Sequence, residues 1–239
     1  MKQKFFCILI ILTGLFTLVS CSVGENENTN NDAKGKEMYE YFSFYNTDSG
    51  YIMQGKYGFS TKKYEGILTI PETYDNIPVV EVDDMDSSSS RGVTKIVGSK
   101  NLISINAWCF SGRDQKSMDN LTEVIFPSNG ELKKIETMAF YWQTSLKTVI
   151  LPEKIEYLGD GVFERCYALE NLVIYNTVPP QMDGDIFNWD ATLINDEYWH
   201  TKPNKNFTVF VPDEAVHTYQ QSPWNKFAIK PISGANFIS

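Results

Sequence analysis

Apolar positions recur along the middle of this chain at offsets that no single helix or strand explains. Leu121-Thr-Glu-Val124-Ile-Phe126-Pro127 returns as Leu146-Lys-Thr-Val149-Ile-Leu151-Pro152, and again without the proline as Leu169-Glu-Asn-Leu172-Val-Ile174-Tyr175. Ahead of each phrase stands a second one ending in Phe: Leu102 to Phe110, Leu132 to Phe140 and Ile155 to Phe163, the first apolar residue lying eight positions before the Phe in each. Phe140 to Leu146 and Phe163 to Leu169 are both six residues. Fixed offsets at a period of about 23 predict a solenoid whose coils stack on one another.

Within a coil, apolar residues at i, i+3 and i+5 suit neither strict alternation nor a helical stripe. They suit a coil that enters at Leu146 and runs as a short strand with Val149 and Leu151 inward. Thr148, Val149 and Ile150 add β-branched propensity, and Pro152, lacking an N–H, ends the ladder. Ile155-x-x-Leu158-Gly159 forms the return side. Gly161-Val162-Phe163 is expected to round the far corner through a helical turn, with the Phe between successive coils.

The Pro-terminated strand, the return phrase ending in Ala-Phe or Val-Phe, and the six-residue link together resemble the BspA-like leucine-rich repeats of bacterial surface proteins. Met138-Ala139-Phe140 and Val162-Phe163-Glu-Arg-Cys166-Tyr-Ala-Leu169 are close to that family's corner. Gly66 to Val82 resembles its first coil, and Phe207 to Phe227 its closing unit, so the likeness spans roughly residues 60–232. The fold class implied is a mostly β repeat solenoid with short helical turns, a right-handed BspA-type leucine-rich repeat coil with an N-terminal β-hairpin cap and a C-terminal helical cap. The family implies adhesion: its members are associated with binding host matrix proteins and with cell–cell contact.

Departures from the repeat mark special segments. Val93-Thr-Lys-Ile96-Val-Gly98 is a weak strand phrase, Ser111–Asn120 carries a five-residue insertion, and Asp83–Ser90 reads as a polar loop in place of a corner. Upstream, Tyr41–Tyr45 and Tyr51–Gln54 flank Asn46-Thr-Asp-Ser-Gly50, a predicted hairpin that would cap the first coil. At the other end a helix from Asp213 to about Gln220 is expected, capped by Asp213, with Trp224 and Phe227 packing back.

The N-terminus carries an address. Lys2 and Lys4 precede an apolar run from Phe5 to Val19, too short for a comfortable span and right for a secretory leader. Leu18-Val19-Ser20-Cys21 resembles the bacterial lipobox, which makes Cys21 the lipid attachment site of a cell-envelope protein, at the outer membrane or cell surface. Residues 22–36 are polar and lack aromatics, as a tether does. The expected division is 1–20 leader, 21–36 tether, 37–64 N-terminal β cap, 65–187 solenoid, 188–206 aromatic-rich insertion and 207–239 closing strand and cap.

Charge and chemistry narrow the function. The formal net charge is −9, and the leader would take two lysines with it. An acidic chain without clustered Lys and Arg excludes nucleic acid as the expected partner. Of four cysteines, Cys7 leaves with the leader and Cys21 takes lipid. Cys109 and Cys166 lie two coils apart, about 10 Å at strand spacing. That is beyond disulfide reach, so both read as small buried hydrophobes. No nucleophile elbow, dinucleotide loop, P-loop or His-Glu-x-x-His motif occurs, and no cofactor is implied. His200 and His217 read as exposed. Asp83-Asp84-x-Asp86 lacks the Gly and distal Glu of a calcium loop, and Asp183 and Asp185 lack a recognisable cleft, so no metal or catalytic site is expected. The candidate ligand-binding residues are the aromatics Trp189, Tyr198 and Trp199 of the insertion, with Tyr141 and Trp142 on a corner. Two readings follow: a non-catalytic protein that binds an extracellular protein along its strand face, or a glycan-binding accessory lipoprotein that uses the Trp189, Tyr198 and Trp199 loop.

Overall fold

A computed structural model describes residues 41–56, 64–85, 92–112, 120–188 and 203–235. Cys21 and the aromatics Trp189, Tyr198 and Trp199, together with His200, lie outside these residues.

The chain is a mostly β parallel solenoid built from two sheets. One side of the coil, sheet B, is made of β3 (Glu65–Thr69), β6 (Gly92–Val97), β8 (Glu123–Ile125), β10 (Thr148–Leu151), β12 (Asn171–Ile174), β14 (Thr208–Val211) and β15 (Ala228–Pro231), all paired in parallel. The return side, sheet A, contains β5 (Ile77–Asp83), β7 (Ser104–Ile105), β9 (Lys134–Ile135), β11 (Tyr157–Leu158) and β13 (Gln181–Met182). Each repeat therefore supplies one strand to each sheet. The weak phrase at Val93 forms a full six-residue strand because β3 and β8 pair with it on both sides.

An antiparallel hairpin of β1 (Phe42–Thr47) and β2 (Gly50–Gly55) precedes the coils, with Asp48 and Ser49 as its loop. β2 joins sheet A by pairing in parallel with β5. Gly50 permits that approach: a Cβ there would lie 2.6 Å from the Pro78 carbonyl, and its φ of 144° suits glycine. A second, short antiparallel pair, β4 (Thr73–Tyr74) with β5, turns through Asp75 and Asn76, both left-handed.

The core is read directly from the repeat. Leu68, Ile96, Val124, Val149, Leu172 and Val209 point inward from sheet B, and Val82, Ile105, Ile135 and Leu158 from sheet A; all are buried. Between the sheets runs a column of rings. Phe110 and Phe140 stack at 5.4 Å, Phe140 and Phe163 at 6.0 Å, and Phe163 meets Phe187 at 6.3 Å. The column begins with Met85. Its N–H donates to the Cys109 carbonyl, the relation that Phe110 bears to Ala139 and Phe140 to Val162. The stretch from Asp83 is thus not wholly a polar loop: Met85 fills the Phe slot of the first coil and is fully buried.

The corners are runs of hydrogen-bonded turns, not helical turns. Left-handed residues at Trp108, Met138 and Gly161, two before each Phe, and at Trp142 and Arg165, two after, reverse the chain in steps that a right-handed helix cannot make. Among the described residues helix appears only after β14: a 3-10 turn at Asp213–Ala215, α1 (Val216–Gln220), and 3-10 turns at Pro223–Lys226 and Ile232–Gly234. Asp213 does not cap α1. It is the first residue of the 3-10 turn, and its carboxylate accepts from the Ser233 N–H (3.2 Å) and hydroxyl (2.6 Å). Those bonds hold its pKa below the usual carboxylate range. Trp224 and Phe227 fold back onto the last coil, Phe227 lying 5.9 Å from Phe187 and 5.3 Å from Phe207.

Candidate functional site

Parallel pairing in register turns the repeat into columns of side chains on the outer face of sheet B. One column is polar: Lys95, Glu123, Thr148 and Asn171 stand side by side on β6, β8, β10 and β12. Lys95 Nζ and Glu123 Oε2 form an ion pair at 2.8 Å, and Asn171 Nδ2 lies 3.4 Å from Thr148 Oγ1. The next column is apolar over the same strands: Val97, Ile125, Ile150 and Val173, continued by Phe210 on β14. Val97, Ile125 and Ile150 are half-exposed, and Val173 and Phe210 are buried although neither belongs to the interior core.

The sequence explains why this face exists. Val124, Val149 and Leu172 must point inward, so the residue that follows each must point out. At those outward positions the chain places Ile125, Ile150 and Val173. They contribute nothing to the core, and each is a β-branched residue that favours a strand. The outer face of sheet B thus carries an apolar rib flanked by a polar column with one ion pair.

The corner residues gather on another side. Tyr141 and Trp142 are half-buried. The Arg165 guanidinium lies 4.3 Å from the Trp142 ring centroid and 5.9 Å from that of Tyr141, and Tyr141 meets Trp108 edge-on at 5.3 Å. Burial pushes the Tyr141 phenol up, against the opposing pull of Arg165. These two rings are engaged with neighbours on the corner.

Other polar candidates are dispersed. Asp183 accepts the Tyr157 hydroxyl at 3.1 Å, and Asp185 pairs with Lys226 at 2.9 Å. His217 is exposed on α1. Among the described residues no three His, Cys, Asp or Glu side chains gather as metal ligands would. Cys109 and Cys166 are buried thiols. Cys166 Sγ lies 3.2 Å from the Phe140 carbonyl, and burial pushes its pKa well up, which makes it a poor nucleophile. No described helix is long and apolar enough to cross a membrane.

The outer strand face was only half-anticipated from sequence. The inward set of each phrase was legible, but the alignment of Ile125 beside Ile150 and Lys95 beside Glu123 depends on strand register, which the insertion after Ser111 obscures.

Residues 87–188 match the BspA type Leucine rich repeat region, in six copies. No curated protein matches the chain. Among solved structures, a leucine rich repeat protein of T. pallidum is 18% identical, with 72% of this chain and 69% of that one covered and a TM-score of 0.51. The pneumococcal vaccine antigen PcpA is 18% identical over 73% of this chain and 51% of its own, with a TM-score of 0.44. A leucine rich cell surface protein of Faecalibacterium prausnitzii is 17% identical over 67% and 51%, with a TM-score of 0.35.

Proposed function

Because residues 87–188 form a BspA-type leucine-rich repeat region, we propose that this chain is a non-catalytic binding protein of the bacterial cell envelope. It is held to the membrane by lipid on Cys21 and presents the outer face of sheet B to a protein on a host matrix or another cell surface. The observation that carries this reading is the outward rib of Val97, Ile125 and Ile150 beside the Lys95–Glu123 pair. Outward aliphatic residues do not serve the core, and three in register on adjacent strands favour a partner that covers them.

The test is a binding screen of residues 22–239 against an array of extracellular matrix proteins and glycans. Under this reading a matrix protein is retained. Retention falls when Ile125 and Ile150 are changed to Asp, or when Lys95→Glu and Glu123→Lys are introduced together. Retention of a glycan that is lost in Trp189→Ala with Trp199→Ala, and unaffected by the strand-face changes, establishes the second reading instead. That reading rests on three aromatics, Trp189, Tyr198 and Trp199, within one otherwise polar stretch of sequence. Turnover that survives purification and dies with one point mutant would overturn both.

A further inference from the structure

The two sheets end differently. Sheet B continues past the last repeat strand through β14 and β15. Among the described residues sheet A stops at β13, which pairs only with β11. Gln181 N–H donates to the Glu156 carbonyl at 2.9 Å and Asp183 N–H to the Leu158 carbonyl at 3.0 Å. Alternation along a strand then turns the backbone of Pro180 and Met182 the opposite way, toward the open edge. The Pro180 carbonyl is answered there by Trp224 Nε1 at 2.8 Å. Among the described residues nothing answers the N–H or the carbonyl of Met182.

That edge is the wall of a groove of about 650 Å³. Pro180 and Met182 of the edge line it together with His217, Gln221, Trp224 and Lys226 of the α1 region and the turn after it. At one end the Lys226–Asp185 ion pair spans from the 3-10 turn to the coil. A residue in a strand occupies about 3.3 Å by 4.8 Å by 10 Å, roughly 160 Å³, so the groove holds about four residues of extended chain.

We propose that the open edge of β13 is a docking site for an extended, cationic peptide that adds to sheet A as its next strand. The backbone of Met182 supplies the pairing groups, and alternate side chains of the peptide enter the groove. Charge selects the occupant. Asp183 is exposed beside the edge, the chain carries a net charge of −9, and a Lys or Arg on the incoming strand opposite Asp183 makes a cross-strand ion pair. This site is separate from the outer face of sheet B.

The probe is the capped pentapeptide acetyl-Val-Lys-Val-Lys-Val-amide, added to residues 22–239 and followed by amide NMR. The expected result is saturable binding, with hydrogen exchange at the Met182 amide slowed at least about tenfold. The same peptide with alternate backbone nitrogens methylated does not bind. Met182→Pro, which removes the edge-facing donor, weakens binding about tenfold, whereas Met182→Leu, which also loses the Met side chain, retains it. Asp183→Asn removes the salt dependence. The proposal is overturned if millimolar peptide does not bind, if the methylated peptide binds equally, or if Met182 exchange is unchanged at saturation. It is also overturned if the protein alone self-associates with protection of Met182, because the edge then belongs to a second copy.

Discussion

Phe163 is the most demanding point in the ring column, because it has a neighbour on both sides. Phe140 lies 6.0 Å from it and Phe187 6.3 Å, and its side chain is 0% exposed. Phe163→Ala removes about 150 Å² of buried apolar surface, about 4 kcal/mol at 25 cal/mol per Å². Relaxation could recover part of this only if the flanking rings moved together. Each is fixed by a hydrogen bond of its own backbone, Phe140 N–H to the Val162 carbonyl at 3.0 Å and Phe187 N–H to the Asp185 carboxylate at 2.8 Å. The cavity therefore persists, and the cost stays within the range of about 3–5 kcal/mol for deleting a packed Phe. A chain of this size loses about 2–4 °C of melting temperature per kcal/mol, so a drop of about 8–16 °C is expected. The assay is thermal melting followed by far-ultraviolet circular dichroism. Tyr167→Ala serves as the control: the same coil carries it, but it is 52% exposed, and its change stays within about 0.5 kcal/mol. If Phe163→Ala melts no lower than Tyr167→Ala, the column is not the core and the register is wrong.

Three further outcomes follow from single contacts. Gly159→Ala places a Cβ against the Thr137 backbone N–H of the preceding coil, so it destabilises by about 1–3 kcal/mol in chemical denaturation, unlike Gly234→Ala, which meets nothing. The Tyr219 phenol donates to the Asn176 carbonyl at 2.9 Å, and burial pushes its pKa above the ordinary value of 10. Its contribution is therefore complete below about pH 10 and is lost as the pH rises further; Tyr219→Phe lowers stability by about 1 kcal/mol at neutral pH and removes this part of the alkaline loss. Cys166, with its thiol pushed up by burial, resists iodoacetamide at pH 8 in the folded chain from Ser22 and reacts once guanidinium unfolds it, as mass spectrometry will show.

What the sequence carried was the part written in large side chains at constant spacing. Phe110, Phe140 and Phe163 occupy identical slots, so their offsets alone defined the coil. Met85 occupies the same slot and escaped notice, because a thioether among Asp and Ser residues has no periodic partner of its own kind. The return strands were equally hard to see. β7, β9, β11 and β13 contain two residues each, too few for any alternation to register. The corners misled for another reason. Helical and left-handed turns place apolar residues at similar spacings, and only the positive φ of Trp108, Met138, Trp142 and Arg165 distinguishes them. Asp213 preceded a helix and looked like its cap, yet a hydroxyl twenty residues later in the chain, Ser233, competes for its carboxylate.

The unequal ends of the two sheets have a common cause in how the chain leaves the solenoid. After β13 it rounds one more corner at Phe187, and Phe207 then brings it back in register for β14, so sheet B gains a strand. The next return strand would have extended sheet A. Instead Pro212 and Asp213 start a 3-10 turn, and α1 and the Trp224 turn occupy that side before β15 rejoins sheet B. A helical segment covers apolar surface well but answers a strand edge only where a side chain reaches it. Trp224 reaches one carbonyl, that of Pro180. Tyr219 and Trp224 are both buried, while no described residue answers the N–H or the carbonyl of Met182. Closing the core and closing the sheet are separate requirements. Here Tyr219 and Trp224 contribute to the core, while both sheets end in an edge strand among the described residues, sheet A at β13 and sheet B at β15.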